Sequence, residues 1–151
     1  MSSNLLAIKI RRRLVAAAVF SGPELEHIEL LHLCDEPQAV TESVARFLAR
    51  LVERFRPTTA VIGISPDNQG DRVKTLVELA EKMLRSEIVS IWKVKDKELL
   101  ESYALPKLKS KRELKELVRS FWPYLEEREL SAFEAAALGL HVQTERLFSH
   151  Q

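Results

Sequence analysis

The sequence predicts one mixed α/β domain spanning residues 1–151, a five-stranded sheet with helices on both faces. Three observations carry that expectation. Two apolar runs, Leu5–Ile10 and Leu14–Phe20, are separated only by Arg11, Arg12 and Arg13, a connection short enough for a hairpin. Downstream, helical and extended patterns alternate, which is the order of parallel strands joined by right-handed crossovers. The remainder of the chain is helical in pattern. At 151 residues and 17.3 kDa the chain suits a single domain, because a chain of this length buries roughly two thirds of its unfolded surface without staples.

The elements follow in order. Ser21, Gly22 and Pro23 mark the turn after the second strand, and Leu25–Leu33 reads as a third. Its Glu26, His27, Glu29 and His32 interleave with apolar residues, as on an edge strand whose charges discourage further pairing. Gln38–Phe55 places Val40, Val44, Phe47, Leu48, Leu51, Val52 and Phe55 at three- and four-residue spacing, predicting a helix that ends at Arg56-Pro57. Thr59–Ile64 is short and wholly apolar after its first residue, the signature of a central strand covered on both sides. Asp71 is the expected N-cap of a second helix reaching about Arg85, and Glu87–Val94 the fifth strand. Asp96–Tyr103 predicts a short helix stopped before Pro106. Ser110 to Glu113 has capping-box spacing for a helix to about Trp122, and a final helix spans about Glu129–Leu147.

Composition restricts function more than it reveals it. The chain is 46% hydrophobic and 30% charged with net charge +1, so a nucleic-acid or membrane partner would need a local patch. Cys34, the single cysteine, excludes an internal disulfide and is expected to be a small, partly buried side chain in a reducing cytoplasm. No signal-peptide pattern opens the chain, and no apolar run approaches the ~20 residues of a membrane span. A cytoplasmic protein without a membrane partner is the expectation. His27 and His32 lie five apart in a strand, so they face opposite ways and cannot share a metal. No nucleophile triad or phosphate-binding glycine motif occurs.

Three segments carry a resemblance. They are "LLAIK" (Leu5–Lys9), "VIGISPDNQG" (Val61–Gly70) and "EAAALGL" (Glu134–Leu140). In order and spacing the chain resembles the ribonuclease-H-like superfamily, and within it the Holliday-junction resolvases of the RuvC and YqgF kind. The resemblance implies two divalent cations held by three or four carboxylates, which activate water at a phosphodiester. Such hard cations need oxygen ligands. Yet the first-strand Asp of the family falls on Lys9, and the fifth-strand acid of YqgF type falls near Trp92 or Lys93. Only the last-helix acid is kept, as Glu134; a slip in the alignment would put Ser131 or Ala132 there instead.

The resemblance therefore implies the fold without the metal site, since an ammonium stands where an anion should neutralise a dication. Lys9 and Glu134 are expected to approach each other over the sheet end. They would form a vestigial active site or, the reading preferred, a structural ion pair or a lysine reaching to solvent. Arg11, Arg12, Arg13, Lys93, Lys111 and Arg112 are the candidate phosphate contacts, against the plainer reading of solvated charges. Asp67, with Asp71 and Glu134, offers a relocated ligand set, although turn and capping chemistry explains both aspartates. Trp92, Phe121, Trp122 and Tyr124 are read as core or interface, with Phe121–Tyr124 a possible dimer contact. The expected function is thus a catalytically inactive, resolvase-like protein that binds branched or duplex nucleic acid or a second copy of itself, without a cofactor. Two alternatives stand beside it: a Mg²⁺-dependent endonuclease with shifted carboxylates, and a structural or regulatory interaction domain.

Overall fold

The computed structural model describes residues 4–64, 70–88, 90–95, 111–123 and 130–149. Along the chain these form β1 (Asn4–Ile10), β2 (Leu14–Ser21), β3 (Glu24–His32), α1 (Pro37–Phe55), β4 (Thr59–Ile64), α2 (Gly70–Glu87), β5 (Ser90–Lys95), α3 (Lys111–Phe121) and α4 (Leu130–Ser149). The sheet order is β3-β2-β1-β4-β5. β1 pairs antiparallel with β2, and β2 with β3, while β4 runs parallel to both β1 and β5. Three antiparallel strands followed by two parallel ones is the expected architecture.

Burial explains the composition of each strand. β1, β2 and β4 are interior, so both faces are covered and the alternation of apolar and polar residues disappears. β3 is an edge and stays half wet. There His27 lies opposite Val19 and Leu25 opposite Phe20, which leaves Glu26 as an extra, exposed residue in a bulge. A bulge of this kind twists an edge away from further pairing. The β1–β2 tip is closed by a hydrogen bond from Arg11 N–H to the Leu14 carbonyl (2.8 Å).

Helices cover both faces. Leu6, Ile8, Ile10, Val15, Ala17, Val19, Ala60 and Ile62 pack against α1 and α2. On the other face, Leu5, Ala7, Ala16, Ala18, Phe20, Val61 and Val94 pack against α3 and α4. Pro37 opens α1, where a missing N–H is harmless. Arg56 closes it in the left-handed region (φ 45°), its N–H bonded to the Val52 carbonyl at 2.9 Å. None of the described helices is long and apolar enough to cross a membrane.

Several expectations need correction. α2 begins at Gly70 with Asp71 inside its first turn, and it runs on to Glu87, so β5 starts at Ser90 rather than Glu87. The Ile88 N–H still bonds the Leu84 carbonyl (2.7 Å), which prolongs the helical register past the expected end. Cys34 is exposed rather than partly buried, because it lies beyond the end of β3 in the link to α1. The short helix expected at Asp96–Tyr103, together with Asp67 and Tyr124, lies outside the described residues.

Candidate functional site

One row of side chains crosses the α4 face of the sheet near the end of β1. Leu30, Ala16, Lys9, Gly63 and Val94 stand side by side on β3, β2, β1, β4 and β5. Lys9 is the only charged member, and it is 1% exposed. It does not reach solvent, which removes that part of the expectation. Small neighbours let α4 lie close over this row. At Gly63 an added Cβ would stand 2.7 Å from Leu138 Cδ1 and 3.1 Å from Lys9 Cδ, so the backbone of β4 and the helix meet there without room for a side chain.

The second turn of α4 supplies the counter-charge. Glu134 Oε2 is 3.7 Å from Lys9 Nζ, and Glu134 Oε1 accepts a 2.6 Å hydrogen bond from Arg11 Nη2. The Glu134 side chain is 2% exposed and that of Arg11 26%. The carboxylate is therefore shared, one oxygen to each cation, and ties the β1–β2 tip to α4 across 123 residues of sequence. Ser131 and Ala132, the alternative positions for the helix acid, are also buried, but it is Glu134 that meets Lys9.

The remaining candidates are distributed differently. Arg12 and Arg13 are exposed at the hairpin tip, while Arg11 has turned inward. Arg112 is exposed on α3 and pairs with Glu116 at 3.6 Å; one turn on, Lys115 Nζ lies 5.2 Å from the centre of the Phe133 ring. Phe133 adjoins Glu134, so α3 packs beside the turn of α4 that carries the acid. The side chain of Lys111 lies outside the described residues. Lys93 does not join this group. It is paired across the sheet with Ile62 on the α1–α2 face, and its ammonium is 3.2 Å from Glu81. There, hydrogen bonds from Arg85 and then Lys93 hold the Glu81 carboxyl below its ordinary range.

This donor set does not fit a pair of divalent cations. Among the described residues, the row Lys9, Gly63 and Val94 on three adjacent strands carries no oxygen ligand, and two protein cations already neutralise Glu134. Among the described residues no three His, Cys, Asp or Glu side chains converge on a common point. A cleft lined by Leu48, Val52, Glu53, Arg56, Met83 and Glu87 lies elsewhere, between the C-terminal ends of α1 and α2. Sequence reasoning missed the inward turn of Arg11. Its signal was weak: three consecutive arginines read alike, and only the placement of α4 distinguishes them. It also missed the β3–α1 link, in which Glu29 binds His27 (2.9 Å) and Arg50.

No protein-family profile and no curated protein matches the sequence. The solved structures do match. The Thermus thermophilus RuvC structure superposes with TM-score 0.81 at 14% identity, covering 96% of either chain. The same protein in complex with a Holliday junction substrate gives 0.76 at 15% identity, again over 96% of both. The yeast mitochondrial Holliday junction resolvase Ydc2 gives 0.64 at 14% identity, over 94% of this chain and 77% of that one. The fowlpox virus resolvase, solved with Holliday junction DNA, gives 0.62 at 9% identity over 93% and 99%. Strand order, the two helical layers and these superpositions agree: the chain has the ribonuclease-H-like fold in the form found in RuvC-type Holliday-junction resolvases.

Proposed function

We propose that this protein binds branched or duplex nucleic acid as a resolvase-like scaffold and does not cut it by the two-metal chemistry that its resemblance to the resolvase family implies. The observation that carries the reading is Lys9, buried in the central row of the sheet with its ammonium 3.7 Å from Glu134. A lysine there occupies the ground a cation would need, and it repels a second positive charge in a site shielded from water. The binding half rests on the fold shared with resolvases solved on junction DNA. It rests also on Arg12 and Arg13, exposed at the hairpin tip that Arg11 ties to α4, and on Arg112, exposed on α3. Arginines so placed suit phosphate oxygens, which give affinity without base readout.

Fluorescence anisotropy with a four-way DNA junction and a linear duplex at low salt tests binding, and incubation of the junction with Mg²⁺ or Mn²⁺ tests cleavage. Salt-sensitive binding without cleavage is the expected result. Cleavage abolished by Glu134→Ala would establish a nuclease with a shifted ligand set, for which Asp67 is the first candidate. Absence of binding at low salt would leave a structural or regulatory domain. A homodimer belongs to the same reading, since Phe121 is 50% exposed beside buried Trp122. Light scattering at micromolar concentration should return about twice the chain mass.

A further inference from the structure

Of the three hairpin arginines, one is already occupied by an anion, and that anion is the protein's own. Arg11 is partly open to solvent, whereas Glu134 is sealed. Resting on the nucleic-acid reading above, we propose that Glu134 is an internal competitor for Arg11, standing in for a backbone phosphate so that the hairpin grips nucleic acid through Arg12 and Arg13 while Arg11 is withheld. The carboxylate presents to the guanidinium the same kind of anionic oxygen that a phosphodiester would, at charge-assisted distance. Its partial burial makes this contact stronger than an ordinary surface pair. A phosphate must therefore displace it rather than merely add to it.

Lys9 gives the arrangement its second state. Two cations share one carboxylate, each at its own oxygen, so the departure of Arg11 leaves Glu134 beside the buried ammonium of Lys9. The acid stays compensated whether Arg11 is held or released. Without Lys9, release would take from a carboxylate only 2% exposed the second of these two cations, at a desolvation cost. A vestigial catalytic acid needs no such second cation, and a purely structural pair does not need its arginine half exposed at a basic tip.

The test compares the salt dependence of junction binding in variants that hold net charge constant. Lys9→Met with Glu134→Gln removes one charge of each sign and replaces the buried pair by groups of similar size. In this double variant Arg11 is released. The slope of log affinity against log salt should steepen by about 0.9, the value of one additional phosphate contact on duplex arms, and low-salt affinity should rise. Arg11→Gln should then restore the parental slope in the double variant while changing it by less than half as much in the parent protein. Lys9→Gln with Glu134→Gln, which also holds net charge constant and keeps a polar pair in place, provides the same comparison if the first double variant does not fold. An unchanged slope in the double variant overturns the proposal while binding by the parent stands. So does an Arg11→Gln effect that is equal in both backgrounds. Binding by the double variant alone would show the competitor to be complete. Failure of every variant to bind would overturn this proposal together with the binding function.

Discussion

Burying a lysine among alanines and leucines is costly, and Lys9 is tolerated because a buried acid meets it. The two partners are not equivalent. Glu134 serves both Lys9 and Arg11, so its removal takes a carboxylate from an ammonium only 1% exposed, whereas removal of Lys9 leaves Glu134 bonded to Arg11. Glu134→Ala should therefore cost about 3–5 kcal/mol in urea unfolding, the usual penalty of breaking a buried pair. Lys9→Met, which substitutes an apolar stem of similar length, should cost well under half as much. The reverse order would show that Lys9, not Glu134, anchors the cluster. A second acid behaves in a pH-dependent way. Burial pushes the Glu29 carboxyl up, but the hydrogen bond from His27 and the charge of Arg50 outweigh it and hold the group below its ordinary 4.5. A carboxyl lowered in the folded state contributes stability above its unfolded value, and that contribution disappears as pH falls through the folded value. Glu29→Gln should lower the melting temperature at pH 7, with the difference shrinking progressively below pH 4.5. A difference independent of pH would mean that the ionised form plays no part.

At the scale of elements, α4 governs the geometry. Ala132, Ala135, Ala136 and Gly139 give it a face so low that it rests almost on the sheet, and a Cβ at Gly139 would overlap the Phe20 ring. Backbone and ring are both held by surrounding packing, so Gly139→Ala should destabilise by about 1–3 kcal/mol despite the better helix propensity of alanine. Guanidinium unfolding checks this, and a stabilised variant would show that the contact yields easily. Most elements were legible in the sequence because their patterns are local. Apolar runs and turn residues marked β1, β2 and β4, and helical spacing marked α1. The α2–β5 junction was displaced because Ser86 and Glu87 belong equally well to a helix end or a strand start. The site was legible only in part. That Lys9 and Glu134 would meet followed from the resemblance, whereas the burial of Lys9 and the inward turn of Arg11 depend on a helix 123 residues away docking on the strand. No window along the chain contains that information.

At the scale of the whole molecule, a sheet buried on both sides sets the candidate site between two charge environments. One is the sealed Lys9–Glu134 contact, the other the exposed basic tip of the β1–β2 hairpin. In an enzyme that needs divalent ions, the site itself stores stability that the ion supplies, because a ligand binding only the folded state stabilises it by mass action. An ion at a hundred times its dissociation constant would add about 2.7 kcal/mol, or roughly 5–10 °C in a chain of this size. Here the acid that would hold such an ion is neutralised by two protein cations, one of them in the central row of the sheet. Thermal melts in 10 mM Mg²⁺, in Mn²⁺ and in a chelator should therefore coincide to within about 1 °C for the parent protein. A rise of several degrees with Mn²⁺ that vanishes in Glu134→Gln would mean that Glu134 can exchange its protein cations for a metal, which would favour the nuclease reading over the binding one.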